Sequence, residues 1–189
     1  MQIKSGRVTL RRTTQEDLPF LKSLWNDGRV MKWVGFPNGL GATDESMAVW
    51  FRKRSADPRF FHFIVWDTNG RRCGEVCYDV EPSQKRAGLD VKFAPESQGR
   101  GLATDALRAL IDHVFAVEED VDEVWTEPST ANVAARKLYA RCGLAEKPRP
   151  MDMKQDVPYW ALERSRWIEL KTNFEQRHAP DALPRADDA

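Results

Sequence analysis

The sequence predicts a single α/β domain with a mainly antiparallel central sheet flanked by helices. Strand-like runs crowd the first half of the chain, and the second half changes to helix, strand, helix. Between two of the early runs stands Asn69-Gly70, the short-range signal of a hairpin, so the strands flanking it are expected to be antiparallel neighbours. The 189 residues suit one domain at the usual size of about 100 to 200 residues, with room for a sizeable core. The domain is expected to span 1–170. A polar extension over 171–189, ending in APDALPRADDA, is expected to be partly disordered.

Taken in order, Val8–Arg12 reads as a short strand. The segment TTQEDLPFLKSLWND follows with Thr14 and, three residues on, Asp17, an acidic variant of a capping signal. Leu18, Leu21 and Leu24 or Trp25 form the apolar stripe of the helix behind it. RVMKWVGFPNGLG is aromatic, glycine-rich and irregular, and a helix over Asp44–Ser55 takes Met47, Val49, Trp50 and Phe51 as its apolar content. Three strand-like runs come next: FFHFIVWD, RCGEVCYDV and AGLDVKFA. In the last, Leu89, Val91 and Phe93 alternate with polar neighbours. Ala103, Ala106, Leu107, Leu110 and Val114 then recur on one helical face, DEVWTEP is a strand, and ANVAARKLYARCG is a helix capped by Gly143. PYWALERSRWIEL is expected to begin as strand and give way to helix.

Lys plus Arg and Asp plus Glu each total 29. That balance argues against a global nucleic-acid or membrane-surface footprint, and neither partner is expected. Cys73, Cys77 and Cys142 contain no Cys-x-x-Cys pair and no usual zinc spacing. They are read as reduced thiols, and no metal is expected. MQIKSGRVTLRR lacks the apolar run of a signal peptide, and no stretch approaches the roughly 20 apolar residues that cross a bilayer. A cytoplasmic location is the expectation. A homodimer stays open.

The chemistry concentrates in QGRGLATDALRALIDHVF, residues 98–115, where Gly99 and Gly101 stand just before a helix begins. A loop leaving a strand and entering a helix exposes unpaired N–H groups at the helix's positive end, a ready anion site. Gly99 and Gly101 would clear the approach, Ala103 stays small, and Thr104 adds a hydroxyl. Such a loop suits a pyrophosphate. A tight turn that needs glycine only for positive φ fits the same residues. No Gly-Lys-Ser/Thr follows, so the Walker pattern is absent. Downstream, Asn132, Ala135 and Tyr139 stand at i, i+3 and i+7 and share one helical stripe. That stripe stacks a polar group, a gap and a phenol, and it equally describes a cap residue beside a core tyrosine.

Both motifs, in this order, resemble the GNAT superfamily of acyl-CoA-dependent N-acetyltransferases. Gln98, Gly101 and Ala103 match its phosphate-binding signature, and Asn132, Ala135, Tyr139, Gly143 and Leu144 match its later one. Leu144 stands where the family often has Phe. The early helices, the Trp33-Val34-Gly35 loop, GEVCYDV and YWALERSRW look like the branch of ribosomal-protein N-terminal acetyltransferases. The resemblance runs from Val8 to about 170, with motif-level agreement between 89 and 144.

The resemblance implies a GNAT-like domain whose strand before the cofactor loop is splayed from its neighbour, with acetyl-CoA as acyl donor. The pantetheine arm would lie along the main chain of Val91, Lys92 and Phe93. Main-chain N–H groups of Gly99, Arg100, Gly101, Leu102 and Ala103, with the Thr104 hydroxyl, would meet the pyrophosphate. Asn132 would hydrogen-bond the pantetheine, and Ala135 would leave it room. Tyr139 would be the general acid toward the leaving thiolate. Glu75, Asp79, Asp90 and Glu127 are carboxylates from which a base could come, each equally readable as an outward-facing strand residue. His62 on an apolar strand is read as structural. Trp33 and Phe36 are read as a wall of the acceptor site or as buried anchors. The acceptor class stays open among protein α-amines, free amino acids, polyamines and aminoglycosides, and a non-catalytic acyl-CoA-binding or sensor module is the alternative to an enzyme.

Overall fold

A computed structural model of the chain describes residues 1–153 and 158–178. Eight strands form one sheet in the order β1-β2-β3-β4-β5-β6-β8-β7, where β1 is Gln2–Ser5, β2 Val8–Arg12, β3 Phe60–Asp67, β4 Arg72–Glu81, β5 Arg86–Phe93, β6 Glu123–Thr126, β7 Ala145–Lys147 and β8 Tyr159–Glu163. Every pairing is antiparallel except β5 with β6. The helices are α1 (Leu18–Trp25), α2 (Gly28–Met31), α3 (Asp44–Ser55), α4 (Leu102–Val117), α5 (Val133–Arg141) and α6 (Arg164–His178). The single α/β fold with a mostly antiparallel sheet is the one the sequence predicts.

Alternation along the strands divides the core in two. Phe63 and Val65 of β3 join Val76 and Tyr78 of β4 and Leu89 of β5 on the face covered by α4, which buries Ala106, Leu107, Leu110 and Val114 there. Burying each of the larger chains contributes roughly 1.5 to 3 kcal/mol. Ala103, counted with that stripe, lies half-buried at its edge, toward the cleft described below. On the other face, Ile64 packs with Leu21 of α1 and Met47 of α3. Val49 of α3 is instead 53% exposed, because it sits two residues from Met47 on the opposite side of the helix.

The Asn69-Gly70 hairpin joins β3 to β4 as expected, with Gly70 at φ 72°. The Thr14 and Asp17 signal is also realised: the Asp17 carboxylate accepts from the Thr14 N–H at 3.0 Å. Two strands have no counterpart in the sequence reading. β1 (QIKS) and β7 (AEK) lie at the two ends of the sheet and carry mostly exposed residues, so neither shows the apolar alternation that marks a half-buried strand. The segment expected to be irregular opens with α2 and a 3₁₀ turn over Lys32–Val34 that ends at Gly35, φ 93°. Helix α6 runs without interruption across 170, so the expected domain boundary falls inside it. The tail 179–189, expected to be disordered, lies outside the described residues. Among the described residues, no helix is long and apolar enough to cross a membrane.

The feature that makes a site is where the central pairing stops. Strands β5 and β6 pair only at Arg86, Ala87 and Gly88 opposite Glu123, Val124 and Trp125. Strand β5 continues to Phe93. Beyond Gly88 the two strands part, and the edge of β5 borders a cleft.

Candidate active site

The cleft has a volume of about 750 Å3 and lies between the far end of β5, the start of α4, helix α5 and the α2 segment. Val91, Lys92 and Phe93 form its β5 wall. Gln98, Gly99, Gly101, Leu102, Ala103 and Thr104 line it at the loop, and Asn132, Ala135 and Tyr139 line it from α5. The lining residues of the two sequence motifs, 28 residues apart at their nearest, Thr104 and Asn132, therefore share one cavity.

Helix α4 begins at Leu102 with Gly101 as its N-cap, and no side chain caps its first turn. Its leading N–H groups are the positive end of the helix dipole. Gly99 and Gly101 sit at φ 73° and 77°, a region that L side chains rarely adopt. A Cβ on Gly99 would meet nothing within 4 Å, whereas one on Gly101 would lie 2.5 Å from Nη2 of Arg7. Gly99 thus leaves the surface of the turn bare, while Gly101 makes room for the Arg7 guanidinium. Gln98 closes the loop from beneath, donating from Nε2 to the Phe93 carbonyl at 2.9 Å. Arg100 departs from the others. Its guanidinium points to Asp67, 3.5 Å away, and only its main chain belongs to the turn.

On α5, the Asn132 side chain accepts from the Ala135 N–H at 3.1 Å and caps the helix. The Tyr139 phenol is 5% exposed. Burial pushes it up to about 12, with a hydrogen bond to Thr126 offsetting part of the rise. At neutral pH the group is a protonated phenol.

The face of β4 and β5 opposite α4 carries a buried polar chain. Lys92 lies 3.1 Å from Glu75 and also pairs with Asp90. Glu75 accepts from Trp25 Nε1 at 2.9 Å and stands 3.1 Å from His62 Nε2, while His62 Nδ1 meets Thr13 Oγ1 at 2.7 Å. Burial alone would raise the Glu75 carboxyl, but Lys92, His62 and Trp25 hold it down at about 2. Glu75 is an anchor for Lys92, enclosed away from the cleft. His62 is the satisfied structural histidine the sequence suggests. Asp79 pairs with Arg54 at 3.5 Å outside the cleft, and Glu127 lines the cleft but pairs with Arg149. Asp90 lines the cleft with its side chain 44% exposed. Its Oδ1 accepts from the Val91 N–H at 2.8 Å, so that N–H, expected to face the donor's arm, is already engaged.

Sequence reasoning places the acceptor side near RVMKWVGFPNGLG, and from that segment Arg29, Val30, Trp33 and Val34 line the cleft; of the four only Trp33 is singled out individually, because the single turn of α2 carries no period that marks a face. Trp33 is 40% exposed on this wall, with the Lys32 ammonium 4.9 Å from its ring. Phe36 is exposed outside the lining. Replacing Trp33 with Ala should therefore leave the fold intact and raise the acceptor KM about fivefold, with less than a twofold change for acetyl-CoA. A loss of folded protein, read by thermal melting, would return Trp33 to an anchoring role.

Comparison with known proteins completes the picture. Residues 7–145 match the family model described as "Acetyltransferase (GNAT) domain". A spermidine N(1)-acetyltransferase of Vibrio cholerae is 25% identical over 76% of this chain and 82% of its own. The Bacillus subtilis protein named "Putative ribosomal N-acetyltransferase YdaF" is 25% identical over 85% of this chain and 93% of its own. In fold, the chain is similar to a Vibrio cholerae spermidine N-acetyltransferase solved with CoA and spermine, at TM-score 0.75 and 23% identity, over 86% of this chain and 98% of that one. With more than half its length inside the family model, the chain belongs to the GNAT family and is an acetyl-CoA-dependent N-acetyltransferase.

Proposed function

We propose that the protein transfers an acetyl group from acetyl-CoA directly to a primary amine, with Tyr139 as general acid, Asp90 as general base, and a protein N-terminus or a small monoamine as acceptor. The observation that carries the reading is the shared cavity: an uncapped helix N-terminus, an unpaired strand edge and a protonated buried phenol face one space. The residues fit the donor. The bare turn at 99–101 suits a diphosphate, and the β5 edge beyond Gly88 suits an amide-bearing arm. Bound there, acetyl-CoA supplies a thioester, and attack by the amine nitrogen on its carbonyl carbon expels the CoA thiolate.

The chain's own groups manage the protons. An ammonium cannot attack, so the acceptor must first lose a proton, and Asp90 is the cleft carboxylate with the greatest side-chain exposure. Tyr139 Oη holds the proton that the thiolate takes. The adduct nitrogen gives its second proton to water as the thiolate leaves and Asp90 passes the first to water; one of the two, returned from solvent, reprotonates Tyr139, and one proton is released per turnover.

Charge supports a single amine over a polycation. Both Asp90 and Glu127 already have internal cations, and Arg29 and Lys92 stand on the same walls. A polycation would favour surplus negative charge. The similarity to YdaF supports the ribosomal-protein N-terminal branch as a source of acceptors.

A thiol-release assay tests the reading over a panel of peptides with free α-amines, monoamines and polyamines. CoA release should be fastest with a peptide or monoamine. Release fastest with a polyamine would overturn this choice of acceptor. Asp90→Asn should lower kcat about fivefold at pH 7, with the deficit shrinking as pH nears the acceptor's own pKa, because a neutral amine needs no base. A deficit independent of pH would remove Asp90 from that role.

A further inference from the structure

The loop at 99–101 is held from behind by a residue outside both motifs. Arg7 shares the two-residue β1–β2 turn with Gly6, which sits at φ 53°. Its Nη1 donates to the Arg100 carbonyl at 2.9 Å and its Nε to Asp105 Oδ2 at 2.8 Å. Its Nη2 occupies the space that a Cβ on Gly101 would fill. One planar guanidinium therefore fixes the middle of the turn and the first turn of α4 together. The Arg100 side chain, drawn to Asp67 on the β3–β4 hairpin, ties the same residue at a second point.

Charge adds a second element. Asp105 stands in the first turn of α4, where a carboxylate favours the helix but opposes a second anion at the same end. The Arg7 contact cancels it. We infer that Arg7 is a positioning residue of the donor site: it locks the two left-handed glycines so that the main-chain N–H groups face a diphosphate, and it neutralises the Asp105 carboxylate that would repel one. The inference rests on the donor site proposed above.

The experiment compares two acyl donors, acetyl-CoA and S-acetylpantetheine, which carries the same thioester and arm without the diphosphate. Wild-type protein should prefer acetyl-CoA in kcat/KM. Arg7→Met should raise the acetyl-CoA KM about tenfold with kcat nearly unchanged, and should leave kcat/KM for S-acetylpantetheine within twofold of wild type. Adding Asp105→Asn to Arg7→Met should recover at least threefold of the loss, because the unopposed charge is then gone. Equal losses with both donors would mean that Arg7 only stabilises the fold, and no loss or no recovery would also overturn the inference. Absence of any wild-type preference between the donors would instead overturn the donor site itself. A melting curve on each variant separates these outcomes from unfolding.

Discussion

Tyr139→Phe should fold, bind acetyl-CoA as the parent does, and turn over at least tenfold more slowly, roughly 1.4 kcal/mol of barrier. The ring is buried on α5, so phenylalanine keeps its packing and loses only the hydroxyl and its Thr126 contact. General acid help is typically worth about 10² to 10⁴ in rate. The lower end applies here, since a thiolate leaves readily and water can enter the cleft. The loss belongs in kcat, because the proton moves in the transition state and contributes little to binding. A phenol raised to about 12 is protonated below that pH, so wild-type kcat should show no alkaline fall from this group before roughly pH 11. Steady-state rates and calorimetric titration of acetyl-CoA read both halves. Wild-type turnover in a folded variant would make Tyr139 a packing residue.

Gly101→Val should weaken acetyl-CoA binding at least tenfold while the protein stays folded. Valine meets two obstacles at this position. A β-branched residue at φ 77° is a steric outlier, and its Cβ would displace the Arg7 guanidinium from 2.5 Å away. Relief of either strain reshapes the turn, and the N–H groups lose their common direction. The sheet and the α4 stripe lie elsewhere, so the melting temperature should fall by only a few degrees. Gly99→Ala is the matched comparison: its Cβ has open space, leaving only the left-handed conformation, at about 1 to 2 kcal/mol. Its affinity loss should be the smaller of the two. Equal affinity in wild type and folded Gly101→Val would detach the loop from the donor.

The central strands and α4 were legible because each is buried on a face with its own period, two residues along Leu89, Val91 and Phe93, and 3.6 along Ala106, Leu107, Leu110 and Val114. The edge strands β1 and β7 were not, since partial exposure leaves no such period to read. Both motifs and their order were legible, and the structure gathers Gln98, Gly101, Ala103, Asn132, Ala135 and Tyr139 in one cleft, with Leu144 in the core instead. Gly99 and Gly101 had two answers in sequence, a turn and an anion site; the geometry shows the turn, with both at positive φ, open space at Gly99 and Arg7 against Gly101, and the anion site is the part proposed above. Arg7 was invisible for a different reason. Its partners lie 93 and 98 residues away, and an exposed arginine after a glycine carries no local mark. Among the carboxylates, only tertiary pairing distinguishes the enclosed Glu75 from the accessible Asp90.

The parting of β5 from β6 after Gly88 has a consequence for divergence. Under the reading proposed above the donor meets peptide groups of this edge, a contact that drift at Leu89 or Phe93 leaves alone but that a change at Asp90, whose carboxylate holds the Val91 N–H, would alter. The side chains of Asp90 and Lys92 leave the same stretch on the face opposite α4 and line the cleft, so under that reading replacements there bear on the acceptor. Under the same reading one short strand serves a constant partner with its main chain and a variable one with its side chains. A lineage could exchange acceptors by point changes on β5 and α2 while the donor half of the cleft remained as it was.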